Sequence, residues 1–313
     1  MTSAAVLIAY AVCVGTVGSR LLGRARWTAR APMLAIVTYL TAGWSVVAAL
    51  GLAGLTLAVH ATALGGGLSD LIGACVLRLR ETYGTPGGAT VAGLGLTLAG
   101  AVAARTVLTA MTHLRAAGRQ ALKHAQTARL VGRPVPALGA VLVEHSEPVA
   151  YRVAGRHPTV ILSTGTLQAL DPAQLTAVLA HERAHLTGRH HRLLALARIG
   201  SLVLPFLPLM RDADAQVARL VEMHADDAAA RASDPRSLAT ALVVLATGAS
   251  PAPALAAAAT DSVQRIHRLL RPAEPLGPAR RRMLRATAAS LALTPVLLAL
   301  APALLALALG RVA

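Results

Sequence analysis

Residues 33–59 run for 27 positions without a charged side chain. A stretch of that length spans a hydrocarbon core of about 30 Å with some tilt, since about 20 apolar residues suffice for one crossing. Residues 4–22 and 286–310 form further apolar runs, and residues 89–104 continue past Arg105 to Met111 if that arginine snorkels. The composition agrees: 55% of the 313 residues are hydrophobic, 14% are charged, and the mean hydropathy is +0.58. A chain of this length would otherwise suggest two soluble domains; the balance excludes that and predicts a mainly α membrane protein with about four transmembrane helices. The Ala-, Leu-, Val- and Arg-rich composition, with one Phe, looks like that of a GC-rich bacterial genome.

Charge orients the runs. Residues 1–3 carry no basic region of a signal peptide, so residues 4–22 read as the first span. Arg20, Arg24, Arg26 and Arg30 follow it without an acidic residue, which places that loop in the cytoplasm and the N-terminus outside. Residues 33–59 return outward, with Gly43 and Gly51 as points of close helix approach. Residues 60–88 form an outer loop with an interfacial helix expected over 68–79. Arg115, Arg119, Lys123, Arg129 and Arg133 after the third run, and Arg280, Arg281, Arg282 and Arg285 before the last, again mark the inner side. Pro295 and Pro302 are kink positions in the last run. The layout is therefore residues 1–112 as a three-helix membrane region, 113–280 as a polar cytoplasmic domain, and 281–313 as a C-terminal span.

Within the polar domain, residues 113–130 read as a basic amphipathic helix. Three short strands are expected at residues 140–143, 149–153 and 159–162, separated by a Ser-Glu-Pro turn and a Gly-Arg-His-Pro turn. Residues 193–210 are apolar for nearly membrane length, but Arg198, Pro205 and Pro208 favour a core helix or one dipping into the bilayer surface. Residues 251–257 read as a linker, and residues 263–270 as a short helix with His267 on the surface. The chain carries 16 more Lys and Arg than Asp and Glu, yet the arginines flank apolar runs and no aromatic platform accompanies them, so direct nucleic-acid binding is not expected. Cys13 and Cys75 are too few for a disulfide framework.

The chemistry is concentrated in residues 175–191, LTAVLAHERAHLTGRHH. His181, Glu182 and His185 form H-E-x-x-H, which on a helix turns two imidazoles to one face with a carboxylate beside them. Asp171 as N-cap, Pro172 at the first helical position and Gln174 at the capping-box position support that helix. A catalytic zinc site takes a third protein ligand and leaves its fourth position open. Two candidates stand. His191 completes H-E-x-x-H-x-x-G-x-x-H, with Gly188 letting the chain turn back. Glu222 lies on a helical pattern over residues 217–232, where Asp226 follows at i+4 as an orienting partner for a ligating His. Glu222 is the favoured one, because the apolar run after His191 leaves no loop-rich subdomain for a Met-turn.

Residues 160–191, then Phe206-Leu207-Pro208, then Glu222 to Asp226, resemble the BlaR/MecR-type antirepressor membrane metallopeptidases, and more distantly the HtpX-type and CAAX-prenyl-protease gluzincins. The resemblance implies a zincin-like α+β catalytic domain between the third and fourth spans. It implies His181, His185 and Glu222 as zinc ligands, Glu182 as catalytic base, Asp226 as the residue behind a ligand, and one edge strand that pairs with extended substrate. The antirepressor family often has Cys where this chain has Ala225. By the same resemblance the activity is that of an integral membrane zinc endopeptidase cutting on the cytoplasmic side, its partners the bilayer and a protein or peptide substrate such as a transcriptional repressor or the enzyme itself. The β-lactam receptors carry a sensor after the fourth span, and only three residues follow Gly310, so sensing β-lactam by that route is not expected. Two alternatives are quality control of membrane proteins, as in HtpX-type enzymes, and a non-catalytic signalling scaffold with a structural metal site.

Overall fold

The computed structural model describes residues 2–58, 88–153, 159–248, 255–272 and 274–310. Residues 60–87 of the expected outer loop, with its interfacial helix and Cys75, lie outside that set. So do the turn at residues 155–158 and residues 251–254 of the expected linker.

Helices dominate. α1 (Thr2–Gly23) and α2 (Pro32–Ala58) flank a short 3-10 turn at Thr28–Arg30, and α3 (Gly88–Val131) follows. Four helices among the described residues are long and apolar enough to cross a membrane: Ser3–Gly23, Pro32–Ala58, Gly88–Ala128 and Pro278–Pro302. The last lies within the C-terminal helix, α10 (Pro278–Gly310), which is unbroken through Pro295 and Pro302.

α3 differs from the expectation of a span followed by a separate amphipathic helix. It is one helix of 44 residues, passing His113 without interruption. Its Ala, Leu and Arg content gives the backbone no reason to break, and residues 88–131 contain no proline. The close approach of α2 and α3 is made at Gly54 and Gly95; Gly51 has only an ordinary contact with Val102, while Gly43 closely faces Met210, whose sulfur would lie 3.2 Å from a Cβ there. A Cβ on Gly54 would meet Gly95 O at 2.6 Å, and one on Gly95 would meet Gly54 O at 2.6 Å, so neither position has room for a side chain.

β1 (Gly132–Val135) follows α3 directly, then β2 (Ala140–Val143), β3 (Ala150–Val153) and β4 (Thr159–Ser163). β1 is additional to the three strands expected. The sheet order is β1-β2-β4-β3, with β2 and β4 parallel and the two outer pairings antiparallel, so β3 is an edge. Ala128 of α3 packs against Val153 and Ile161, tying the long helix to the sheet.

α4 (Thr164–Ala169), α5 (Pro172–Thr187), α6 (His190–Val203), α7 (Pro208–Ala232), α8 (Pro235–Gly248) and α9 (Leu255–Leu270) complete the chain before α10. The ambiguous run at residues 193–210 is two helices and a corner. α6 ends at Val203, Pro205 interrupts the backbone, and Pro208 starts α7 in its favoured first-turn position. The corner is embedded: Leu204, Leu207 and Met210 bury against Leu7, Ala11, Val46 and Ala49 of α1 and α2. Arg105 of α3 closes it from outside, its Nε and Nη2 donating to Val203 O and Leu202 O at 2.6 and 2.9 Å. These are unpaired carbonyls at the C-terminal end of α6, where a cation is favoured. α7 then runs back along α2, burying Leu209, Val217, Leu220, Val221 and Met223 with Trp27, Ile36 and Tyr39. That packing returns the chain to α5.

Candidate metal centre

α5 is held at its start by a reciprocal cap. Gln174 N–H donates to Asp171 Oδ1 at 2.8 Å, Asp171 N–H donates to Gln174 Oε1 at 3.1 Å, and Pro172 occupies the first turn. Ala177, Val178 and Leu179 seat the helix in the core, and His181, Glu182 and His185 share its buried side. Burying two imidazoles and a carboxylate requires compensating partners. α7 supplies them. Leu220, Val221 and Met223 bury one side of α7, while Glu222 and Asp226, one turn apart, reach α5.

The donor atoms of His181, His185 and Glu222 form a triangle. His181 Nε2 and His185 Nε2 are 3.1 Å apart, and they lie 3.4 and 3.5 Å from Glu222 Oε2 and Oε1 respectively. A cation with N and O ligands at zinc distances and tetrahedral angles separates its donors by about 3.3 Å. The edges of this triangle match that value. Behind it, His181 Nδ1 stands 3.0 Å from Asp226 Oδ1. Arg265 of α9 donates to both oxygens of Asp226 at 2.7 Å and places Nη1 3.2 Å from Glu222 Oε2.

These contacts set the two ring orientations. His181 Nδ1 stands beside the Asp226 carboxylate without an aligned hydrogen bond among the described residues, and its Nε2 turns toward His185 Nε2 and Glu222. His185 has its own Nδ1 partner, His190 Nδ1 at 2.9 Å, and likewise turns Nε2 inward. Two lone pairs and a carboxylate converging within 3.5 Å repel one another unless a proton or a metal cation sits among them. The donor set therefore fits a metal cation held by these three side chains.

The electrostatics agree. Burial disfavours a charge on His181, but the Asp226 and Glu222 carboxylates outweigh it and hold its pKa up at about 9. Burial would raise Glu222, yet its contacts with His181 and His185 and the Arg265 charge hold it far below the usual carboxylate range. Asp226 is likewise held low against burial, chiefly by Arg265. Burial lowers His185, opposed by Glu222, and burial pushes Glu182 up, offset in part by His181 and Arg152. Glu182 Oε2 is buried without a hydrogen-bond partner among the described residues, 3.8 Å from Arg152 Nη1 of the edge strand β3. Glu182 thus sets a second buried carboxylate, held near an arginine but without a hydrogen bond on Oε2, next to His181 on α5.

His191 is not brought to the cluster; it is exposed on α6. Its neighbour His190 turns inward instead. Arg189 adopts a left-handed conformation (φ 48°, ψ 39°), which redirects the chain so that His190 is fully buried against His185. Sequence reasoning missed His190, Arg265 and Arg152. A buried Asp226 demands a cation, but nothing local in the sequence points to Arg265 as its source, and the inward turn of His190 had no signal either.

The family comparison bears on this geometry. Residues 115–218 match the model of peptidase family M48. That match takes in the sheet, α4, α5, α6 and the start of α7, and it supports a metallopeptidase. It includes the H-E-x-x-H helix and ends short of Glu222. No curated protein and no solved structure matches the chain.

Proposed function

We propose that the chain is an integral membrane zinc endopeptidase that hydrolyses peptide bonds on the cytoplasmic side. The observation that carries this reading is the triangle of His181, His185 and Glu222 with the unpartnered Glu182 oxygen beside it. His181, His185 and Glu222 hold the ion, and zinc bound there supplies Lewis-acid polarisation of the scissile carbonyl. Glu182 Oε2 takes a proton from the attacking water and delivers it to the departing amine; burial raises the carboxyl pKa and makes it a stronger base. Asp226, clamped by Arg265, keeps the His181 ring oriented with Nε2 inward. The free edge of β3 offers backbone groups to an extended peptide beside Glu182, with little demand on sequence.

The arginine distribution supports the orientation: N-terminus outside, residues 113–280 in the cytoplasm between the third and fourth spans. The resemblance to antirepressor peptidases supports a repressor-like protein, or the chain itself, as substrate. A second reading, quality control of membrane proteins in the HtpX manner, is favoured by the direct packing of α7 on α2, which sets the cluster beside a candidate membrane helix. Neither reading requires nucleic acid.

Glu182→Gln tests the chemistry. Proteolysis of an unfolded reporter and of the chain itself should fall by at least about a hundredfold, as for loss of a general base, while zinc stays bound. Proteolysis at the wild-type rate would refute the enzyme reading and leave the scaffold alternative.

A further inference from the structure

His190 lies outside the proposed ligand set, yet it is fully buried beside it. We infer that His190, seated on Gly188 and backed by His224, is a positioning residue that fixes the tautomer and ring plane of His185 and so sets how tightly the cluster holds its cation. The inference rests on the metal reading above and adds residues to it.

The hydrogen-bond arithmetic leaves one arrangement. For His185 Nε2 to ligate, it must carry a lone pair, so the ring hydrogen sits on Nδ1. That hydrogen points at His190 Nδ1, 2.9 Å away, which must accept. The His190 hydrogen is then on Nε2, which lies 3.0 Å from His224 Nδ1, and that nitrogen must accept in turn. The last hydrogen, on His224 Nε2, belongs to a residue lining a cavity of about 560 Å³ open to solvent. Reversing the direction would place a hydrogen on His185 Nε2 and remove it as a ligand. The bonded rings stand nearly perpendicular, at 85° for His185–His190 and 70° for His190–His224, so each bond also holds the plane of the next imidazole.

The seat of His190 is built by its neighbours. Arg189 in the left-handed region swings the chain back, and the His190 ring then lies over Gly188. A Cβ at Gly188 would stand 2.4 Å from His190 Nε2 and 2.7 Å from Cδ2. Gly188 itself has φ −73°, ordinary for any residue, so the glycine is required for room and not for conformation. Its identity is explained by the imidazole above it.

The test uses the full chain in detergent, with zinc affinity measured by chelator competition and the ligand field by Co2+ absorption. His190→Ala should weaken zinc by about 10- to 100-fold and shift the Co2+ spectrum. His190→Asn, whose amide can accept and donate as the neutral imidazole does, should recover much of the affinity. Gly188→Ala should mimic His190→Ala with every histidine present. His224→Leu, at a residue that lines a cavity, should weaken zinc by a smaller factor and serves if the buried variants do not fold. Wild-type affinity and an unchanged Co2+ spectrum in both His190→Ala and His224→Leu would overturn this inference alone. A wild-type chain that binds no zinc would overturn it together with the metal reading.

Discussion

Arg265→Ala should be among the most destabilising single changes in the chain outside the cluster itself. The guanidinium, 12% exposed, makes two 2.7 Å bonds to Asp226, which is 1% exposed, and a third contact to Glu222. Deleting it leaves a buried carboxylate without its counter-charge, a change that costs about 3–5 kcal/mol. Two charge-assisted hydrogen bonds at roughly 1.5–3 kcal/mol each sum to about 3–6 kcal/mol, which overlaps that range. Arg265→Lys keeps the charge but not the two-pronged geometry and should fall between. The double variant Arg265→Ala/Asp226→Asn removes both partners, so its loss should be smaller than the sum of the single losses by about 2 kcal/mol. Denaturant titration of the zinc-loaded protein reports this through Trp27, which is buried against α7 in the core shared with α2. A loss under about 0.5 kcal/mol for Arg265→Ala, or additive single losses, would show that the fork carries no energy of its own.

Glu222→Ala should abolish stoichiometric zinc in purified protein while exposed His191→Ala retains it; metal analysis giving the opposite pattern would reinstate His191 as the third ligand. Gly54→Val forces a side chain against Gly95 O and should cost about 1–3 kcal/mol through loss of the α2–α3 contact, read as a lower melting temperature in detergent. Chelator-stripped protein should lose stability with rising pH. The His181 pKa is raised from 6.5 to about 9, so its contribution is complete below 6.5 and is lost as pH passes through about 9. Glu222 and Asp226 are held below their ordinary values and stay ionised across that window. Melting curves at stepped pH that show no decline would contradict the charge arrangement around His181.

The parts of the fold governed by neighbouring residues were legible in the sequence. Asp171, Pro172 and Gln174 announce the start of α5, and the helix begins there with both capping bonds formed. Pro205 and Pro208 speak against one continuous span over residues 193–210, although not for the corner they form between α6 and α7, which brings Glu222 back beside His181. What the sequence leaves open is decided by distance in the chain or by a single backbone angle. Arg265 comes from a helix 39 residues beyond Asp226, and no local pattern pairs them. His190 and His191 are adjacent and chemically identical; the left-handed conformation of Arg189, unusual for a long side chain, determines which one is buried. The length of α3 went unread because a change from apolar to basic residues marks a change of solvent, which a helix can cross without changing its backbone.

Two of the attachments of α3 lie far apart along it: Arg105 grips the corner after α6, and Ala128 is packed under the sheet. Between them lies unbroken helix, on which each residue adds about 100° of rotation and about 1.5 Å of length. The two attachments are therefore locked in angular phase like two teeth cut on one shaft. An inserted residue between them would swing one attachment about a quarter-turn out of mesh, whereas an insertion of seven would bring it back to within about 20° at about 10 Å greater separation. The number of helical residues between Arg105 and Ala128 thus fixes how the corner after α6 is registered against the strands that carry Val153 and Ile161.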